Sequence, residues 1–249
     1  MVKLDANYNY PMGIPFRYDF LMNYISVKYP TITCQKKIGD KLYVLETIRD
    51  LDEAIDLICE SLPKENHQDP FAEDLCPYFG ILWPGALALS QYLTQHQELI
   101  KGKKVLELGC GLGLPAMVSS HLGGEVLATD FHPDVEEYFL RNCRHSSVSC
   151  DYKRLNWREF SPTLGLFDVV IGSDILYESK HPQEVAKGLL RYLKSGGKVI
   201  LSDPGRAYLQ NFVHAMKREG VKEKMSFLSV EGKDIFIFEF STLVTKCTE

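Results

Sequence analysis

The run Val105-Leu-Glu107-Leu-Gly109-Cys110-Gly111-Leu-Gly113-Leu-Pro115 joins a short apolar stretch to three glycines at alternate positions, with one acid among them. Glycine lacks a Cβ and tolerates positive φ, so such a turn lets backbone approach a ligand closely. Two ligand chemistries compete for it. A dinucleotide site has the spacing G-x-G-x-x-G and offers open helix N–H groups to a pyrophosphate. Here the spacing is G-x-G-x-G, and Glu107 stands two residues ahead of the first glycine. A carboxylate there repels a pyrophosphate. It suits a ligand bearing cations, such as the sulfonium and ammonium of S-adenosylmethionine. Asp130 ends the next apolar stretch and can accept hydrogen bonds from both hydroxyls of a ribose. Either ligand class uses such an acid, and a helix cap ahead of Pro133 is the competing reading.

Other residues bear on the rest of the ligand. Asn156 and Trp157 follow a third candidate strand near Cys150 to Arg154. A polar side chain there can meet an adenine amino group, and an indole can line the ring pocket. Trp83 can do the same from the N-terminal side. Core packing is the alternative for both tryptophans. Ser173 and Asp174 end a fourth strand, with Tyr177 just beyond. Asp174 can accept a hydrogen bond from an incoming amine, and Tyr177 can wall its channel. A turn residue and a core aromatic are the plainer alternatives. His132 and His181 each precede a proline at a predicted helix start, which makes them loop residues rather than general bases.

These residues require an alternating scaffold. Lys104 to Leu108, Glu125 to Asp130, Phe167 to Asp174 and Lys198 to Asp203 read as strands. Prolines 84, 115, 133 and 182 sit at predicted helix starts. Gly196-Gly197 closes the helix opened by Pro182, and another helix runs to Gly220. Strand and helix in alternation imply a parallel sheet with helices on both faces. The end departs from this. Met225 to Val230 and Asp234 to Ser241, joined at residues 231–233, predict an antiparallel hairpin with Phe236, Phe238 and Phe240 on one face. The fold class is thus α/β, with a doubly wound, mostly parallel seven-strand sheet. Residues 1–75 read as an N-terminal extension that can cap the substrate side; residues 76–249 form the main domain. Within the extension, residues 31–48 predict a strand pair turning at Gly39-Asp40. Asp50 predicts a helix cap, and residues 61–75 a linker.

The chain has 249 residues, 45% of them hydrophobic, enough for a core without staples. Lysine and arginine number 28 against 33 acids, a net charge of −5 with no basic run. That argues against nucleic acid as a partner. The seven cysteines include no C-x-x-C pair, so neither a disulfide framework nor a metal site is expected. The first residues lack a signal-peptide core, and no stretch is long enough for a membrane span. The expectation is a soluble, cytoplasmic protein, monomeric by default.

Taken together, these motifs resemble the seven-strand class I S-adenosylmethionine-dependent methyltransferases over roughly residues 78–241. Val105 to Gly113 resembles the family's first motif, Asp130 its second-strand acid, and Phe167 to Tyr177 its fourth-strand motif. Pro77-Tyr-Phe-Gly-Ile-Leu-Trp83-Pro and the D-x-x-Y of Asp174 to Tyr177 are similar to the lysine-specific protein methyltransferase branch. The resemblance implies a cofactor site of Trp83, Glu107, Gly109, Cys110, Gly111, Gly113, Asp130, Asn156, Trp157 and Ser173. It places Asp174 and Tyr177 on the substrate side. The implied reaction methylates a lysine of a protein and leaves S-adenosylhomocysteine. The alternatives are a small-molecule amine as acceptor and, from another class, a non-catalytic partner protein with this fold. An NAD-dependent oxidoreductase is disfavoured by the glycine spacing and by Glu107.

Overall fold

Apolar residues alternate along the strands, and that alternation sorts them into two cores, one on each face of a sheet. The computed structural model describes residues 26–61, 75–159 and 161–242. The first residues of the chain, the linker at 62–74 and Cys247 lie outside them. The N-terminal part holds β1 (Thr31–Ile38), β2 (Lys41–Ile48) and α1 (Leu51–Ser61). Then follow α2 (Pro84–Gln95), β3 (Lys104–Leu108), α3 (Leu114–His121), β4 (Glu125–Asp130), α4 (Val135–His145) and β5 (Asp151–Arg154). The second half holds β6 (Phe167–Ser173), α5 (His181–Arg191), β7 (Leu193–Asp203), α6 (Leu209–Arg218), β8 (Lys222–Val230) and β9 (Lys233–Ser241).

The large sheet has seven strands in the order β5-β4-β3-β6-β7-β9-β8. All neighbours pair in parallel until β9, which is antiparallel to both β7 and β8. The chain winds outward from β3 to β5, then returns to β6 on the other side of β3. Such a reversal opens a crevice at the carboxyl ends of the strands, where ligands of open α/β sheets bind. Val105, Val169, Ile171 and Ile200 face one core with α2, α3 and α4. Leu106, Leu108, Val170 and Leu201 face the other with α5 and α6, and Phe238 and Phe240 join them. The β8–β9 turn is Glu231-Gly232, both at positive φ (52° and 77°), as a tight primed hairpin turn requires.

One boundary differs from the sequence expectation. Helix α5 stops at Tyr192, well before Gly196-Gly197, and β7 begins at Leu193. The Tyr192 carbonyl accepts the Phe167 N–H at 2.8 Å, and Leu193 is buried in the α5–α6 core. Pairing with β6 therefore takes over before the glycines can end the helix.

The N-terminal hairpin β1–β2 is fastened to α4. Ser146 Oγ accepts the Val44 N–H at 3.0 Å, and Asn142 Oδ1 accepts the Glu46 N–H at 2.7 Å. Arg141 pairs with Glu46 at 3.0 Å. Tyr43, Leu45 and Ile48 are buried in the same core as α2, α3 and α4. Helix α1 is capped as expected, with Asp50 Oδ1 accepting the Glu53 N–H at 3.0 Å.

Candidate active site

The crevice at β3 and β6 is a cleft with two walls. The first is largely backbone. Leaving β3, Gly109, Gly111 and Gly113 adopt φ of 68°, 50° and 83°, in the left-handed region that favours glycine. A Cβ on Gly109 would lie 2.7 Å from Ile175, and one on Gly111 would lie 3.1 Å from the Phe79 carbonyl oxygen. The Cys110 N–H donates to the Thr129 carbonyl at 2.9 Å, which fastens the turn to the neighbouring strand.

Asp130 braces this wall as well as facing the cleft. Its Oδ2 accepts the Gly111 N–H at 2.9 Å and its Oδ1 accepts the His132 N–H at 3.0 Å. Burial raises its pKa, and these amides act the other way. Each carboxylate oxygen keeps a second lone pair, so the side chain can still receive hydroxyl donors.

Glu107 is placed otherwise than the sequence suggests. It is wholly buried beneath the turn and is not among the residues lining the cleft. Strand alternation explains this, since β3 is buried on both faces from Val105 onward. Burial pushes its pKa well above the usual carboxylate range, and the Ala116 backbone amide acts the other way.

The remaining predicted residues meet at the cleft. Trp83, Gly109, Cys110, Gly111, Gly113, Asp130, Asn156, Trp157, Ser173, Asp174 and Tyr177 all line it. Trp83 donates its indole N–H to the Tyr78 carbonyl at 2.8 Å. Trp157 is 9% exposed and has an unpartnered indole N–H, so it serves core and cleft together. Asn156 Oδ1 accepts the Arg158 N–H at 3.1 Å, which fixes the side chain in its own turn.

The second wall is made of side chains. Asp174 follows β6 with φ of 58°, unusual for a residue with a Cβ. Its N–H donates to the Ser202 carbonyl at 3.0 Å. Its Oδ1 accepts a hydrogen bond from Arg206 at 2.7 Å. Its Oδ2 is buried against Gly85, whose backbone N–H favours the carboxylate and where a Cβ would collide with it. Burial raises the pKa of Asp174, and the Arg206 charge opposes the rise. Tyr177 is 45% exposed at the rim, with its ring 6.0 Å from Tyr78 and 4.5 Å from His181. His181 is buried as the first residue of α5, with Nδ1 bonded to the Ile175 carbonyl at 2.9 Å. His132 also lines the cleft and is held between Leu75 and Asp134, with its pKa lowered to about 4 by burial. Neither imidazole is placed as a free base. Sequence reasoning missed Arg206 and Gly85, because the contacts of both with Asp174 are long-range.

A family model described as lysine methyltransferase matches residues 73–219. The electron transfer flavoprotein beta subunit lysine methyltransferase of Xenopus laevis is 35% identical over 137 residues, 53% of this chain and 54% of that protein. The histone-arginine methyltransferase METTL23 of Xenopus laevis is 34% identical over 116 residues, 44% of this chain and 50% of that protein. The chain thus spans about half the length of the curated relatives it matches. The solved structure of the T. thermophilus 16S rRNA N2 G1207 methyltransferase (RsmC) superposes with a TM-score of 0.60 at 13% identity, covering 88% of this chain and 52% of that one, a likeness of fold. The family match takes in more than half of the sequence and every residue of both cleft walls, and the chain belongs to the lysine methyltransferase family.

Proposed function

We propose that this protein transfers a methyl group from S-adenosylmethionine to a lysine side-chain amine of a protein substrate. The observation that carries the reading is the second wall. There a carboxylate, Asp174, lines the cleft together with Tyr78 and Tyr177, whose rings are exposed.

The residues of the first wall fit the donor. The glycine turn brings bare backbone to the cleft, Asp130 keeps lone pairs for ribose hydroxyls, and Trp83 and Trp157 flank the cleft. The bound donor supplies a methyl group already activated on a sulfonium, so the protein's task is to align the acceptor. A free lysine amine has a pKa near ~10.4 and reacts only after losing its proton. The aromatic rim withdraws the amine from water, which favours its neutral form. Asp174 would accept one N–H and so orient the nitrogen lone pair. The bound donor would supply the methyl group to that nitrogen and leave as the thioether, and the proton lost by the amine would pass to solvent. The six described cysteines are all free thiols, which supports a reducing compartment, the cytoplasm in this reading.

Incubation with tritiated S-adenosylmethionine and a cell lysate tests this. A discrete protein band should take up label, and hydrolysis of that band should release methyllysine. Asp174→Ala should lose the label while still binding the donor by calorimetry. Label recovered only in small molecules, or as methylarginine, overturns the lysine reading.

A further inference from the structure

Behind Asp174 lies a charged cluster with no part in the steps above. Arg206 sits just after β7 and does not line the cleft. Its Nη1 donates to Asp174 Oδ1 at 2.7 Å and to Asp203 Oδ2 at 3.0 Å. Asp203 is wholly buried, and its Oδ1 accepts the N–H groups of Gly205 at 2.8 Å and Arg206 at 2.7 Å. Asp203 thus fixes the turn that carries the arginine. The guanidinium carbon of Arg206 lies 6.0 Å from the centre of the Trp83 ring. Ser202 completes the arrangement: its Oγ donates to the Gly85 carbonyl at 2.9 Å, and its own carbonyl receives the Asp174 N–H. Three segments meet here, the end of β6, the end of β7 and the start of α2.

Physical chemistry assigns a task to this cluster. A carboxylate removed from water takes up a proton unless a charge opposes it. Arginine stays protonated under all ordinary conditions, so it supplies that charge permanently. The charged groups packed against Asp174 are Arg206 and Asp203, both from the end of β7; the first turn of α2 carries none. One arginine therefore serves two buried acids. Burial of ion pairs contributes little to stability overall, so a role in holding the site explains the cluster better than stability does.

We propose that Arg206 is the positioning residue of the acceptor wall. It keeps Asp174 a carboxylate and holds its other oxygen toward the start of α2, where the amine is received. Without it, Asp174 becomes a neutral acid that presents a donor where the amine needs an acceptor. The inference rests on the amine-transfer reading above.

The test uses the full chain with Arg206→Gln. Donor binding by calorimetry should stay within about threefold of wild type, while kcat/KM for the acceptor falls about 100-fold at neutral pH, the scale of a misplaced reacting group. The acid limb of the rate profile should move to higher pH, since ionised Asp174 is then harder to reach. Thermal unfolding gives a readout without turnover. Relative to wild type, the variant should lose more stability at about pH 8.5 than at about pH 5.5, because a buried acid that stays protonated in the fold is penalised as the unfolded chain ionises. An acid limb at the wild-type position, together with equal stability losses at both pH values, overturns the proposal. Should Arg206→Gln fail to fold, Asp174→Asn with Arg206→Gln removes the charge pair at Asp174 while Asp203 keeps its two backbone amide donors, and this variant carries the test. Its rate should match that of Asp174→Asn alone within about twofold, and a further tenfold drop overturns the proposal. Failure of the amine-transfer reading looks different: wild type then labels no protein, while the unfolding series still reports on Arg206.

Discussion

The two walls of the cleft are built from different materials. The first, the donor wall in the proposed reading, is main chain: three glycines at positive φ, backbone amides, and an aspartate that holds those amides in place. Its parts come mostly from one strand–turn–helix and the end of the adjacent strand. The second, the acceptor wall in that reading, is side chain: Asp174, Tyr177 and Tyr78, supported by Arg206, Ser202 and Gly85 from distant segments. A wall of backbone tolerates almost no change of residue, because its geometry is the residue choice. A wall of side chains can be altered one contact at a time, which suits a fold that meets different acceptors on the same donor site.

Substitutions on each side test that contrast. The largest effect is expected from Gly109→Val, which places a branched side chain at φ 68° and against Ile175. Donor binding should vanish in calorimetry, and stability should fall by about 2 kcal/mol or more. Gly85→Ala should separate the walls. The new methyl meets Asp174 Oδ2, which cannot swing away while Arg206 holds its partner oxygen. Methylation should fall about 100-fold while donor binding persists; equal loss of both would erase the distinction between the walls. Tyr177→Ala should raise KM for the acceptor about tenfold and leave donor affinity unchanged, as an exposed rim aromatic contributes binding only.

The smallest effect at neutral pH belongs to His132→Gln. His132 braces the donor wall as a neutral imidazole, its pKa lowered by burial from 6.5 to about 4. A depressed pKa gives stability that is fully present above about pH 6.5 and lost as pH falls toward about 4, because the unfolded chain binds the proton first. Melting temperature measured across that window should fall more steeply for wild type than for the variant. Parallel curves would remove His132 from the account of the donor wall.

The same contrast governs how much could be read from the sequence. The glycine spacing, the strand ending in Asp130 and the strand–helix alternation are local patterns, and backbone geometry follows from them directly. Trp83, Asn156 and Trp157 stand out by their position beside predicted elements, and the structure brings them into one cleft with the glycine turn. Glu107 is buried and does not line the cleft. Its distance from the glycines along the chain is short, but strand alternation turns its side chain under the sheet, and position along the chain does not report that rotation. Arg206 follows a proline–glycine turn that announces only a loop. Nothing within several residues of it signals Asp174, since the pairing depends on β6 and β7 lying side by side. The extent of α5 was misjudged for a related reason: strand pairing at Leu193 overrides a glycine stop signal.

Asn142 joins two segments mechanically. One side-chain amide reaches the Glu46 backbone of the N-terminal hairpin through both its oxygen and its nitrogen, and the same nitrogen donates to the Leu112 carbonyl inside the glycine turn at 3.2 Å. That is a polar splice between two segments that also share one apolar core. A force or a partner that displaced the hairpin would unload the loop under the donor. Cutting the chain after the hairpin would strand a buried amide, so the catalytic-type domain is expected to be a poor candidate for excision. Through Asn142 the first β-hairpin acts as a tensioning element for the glycine turn.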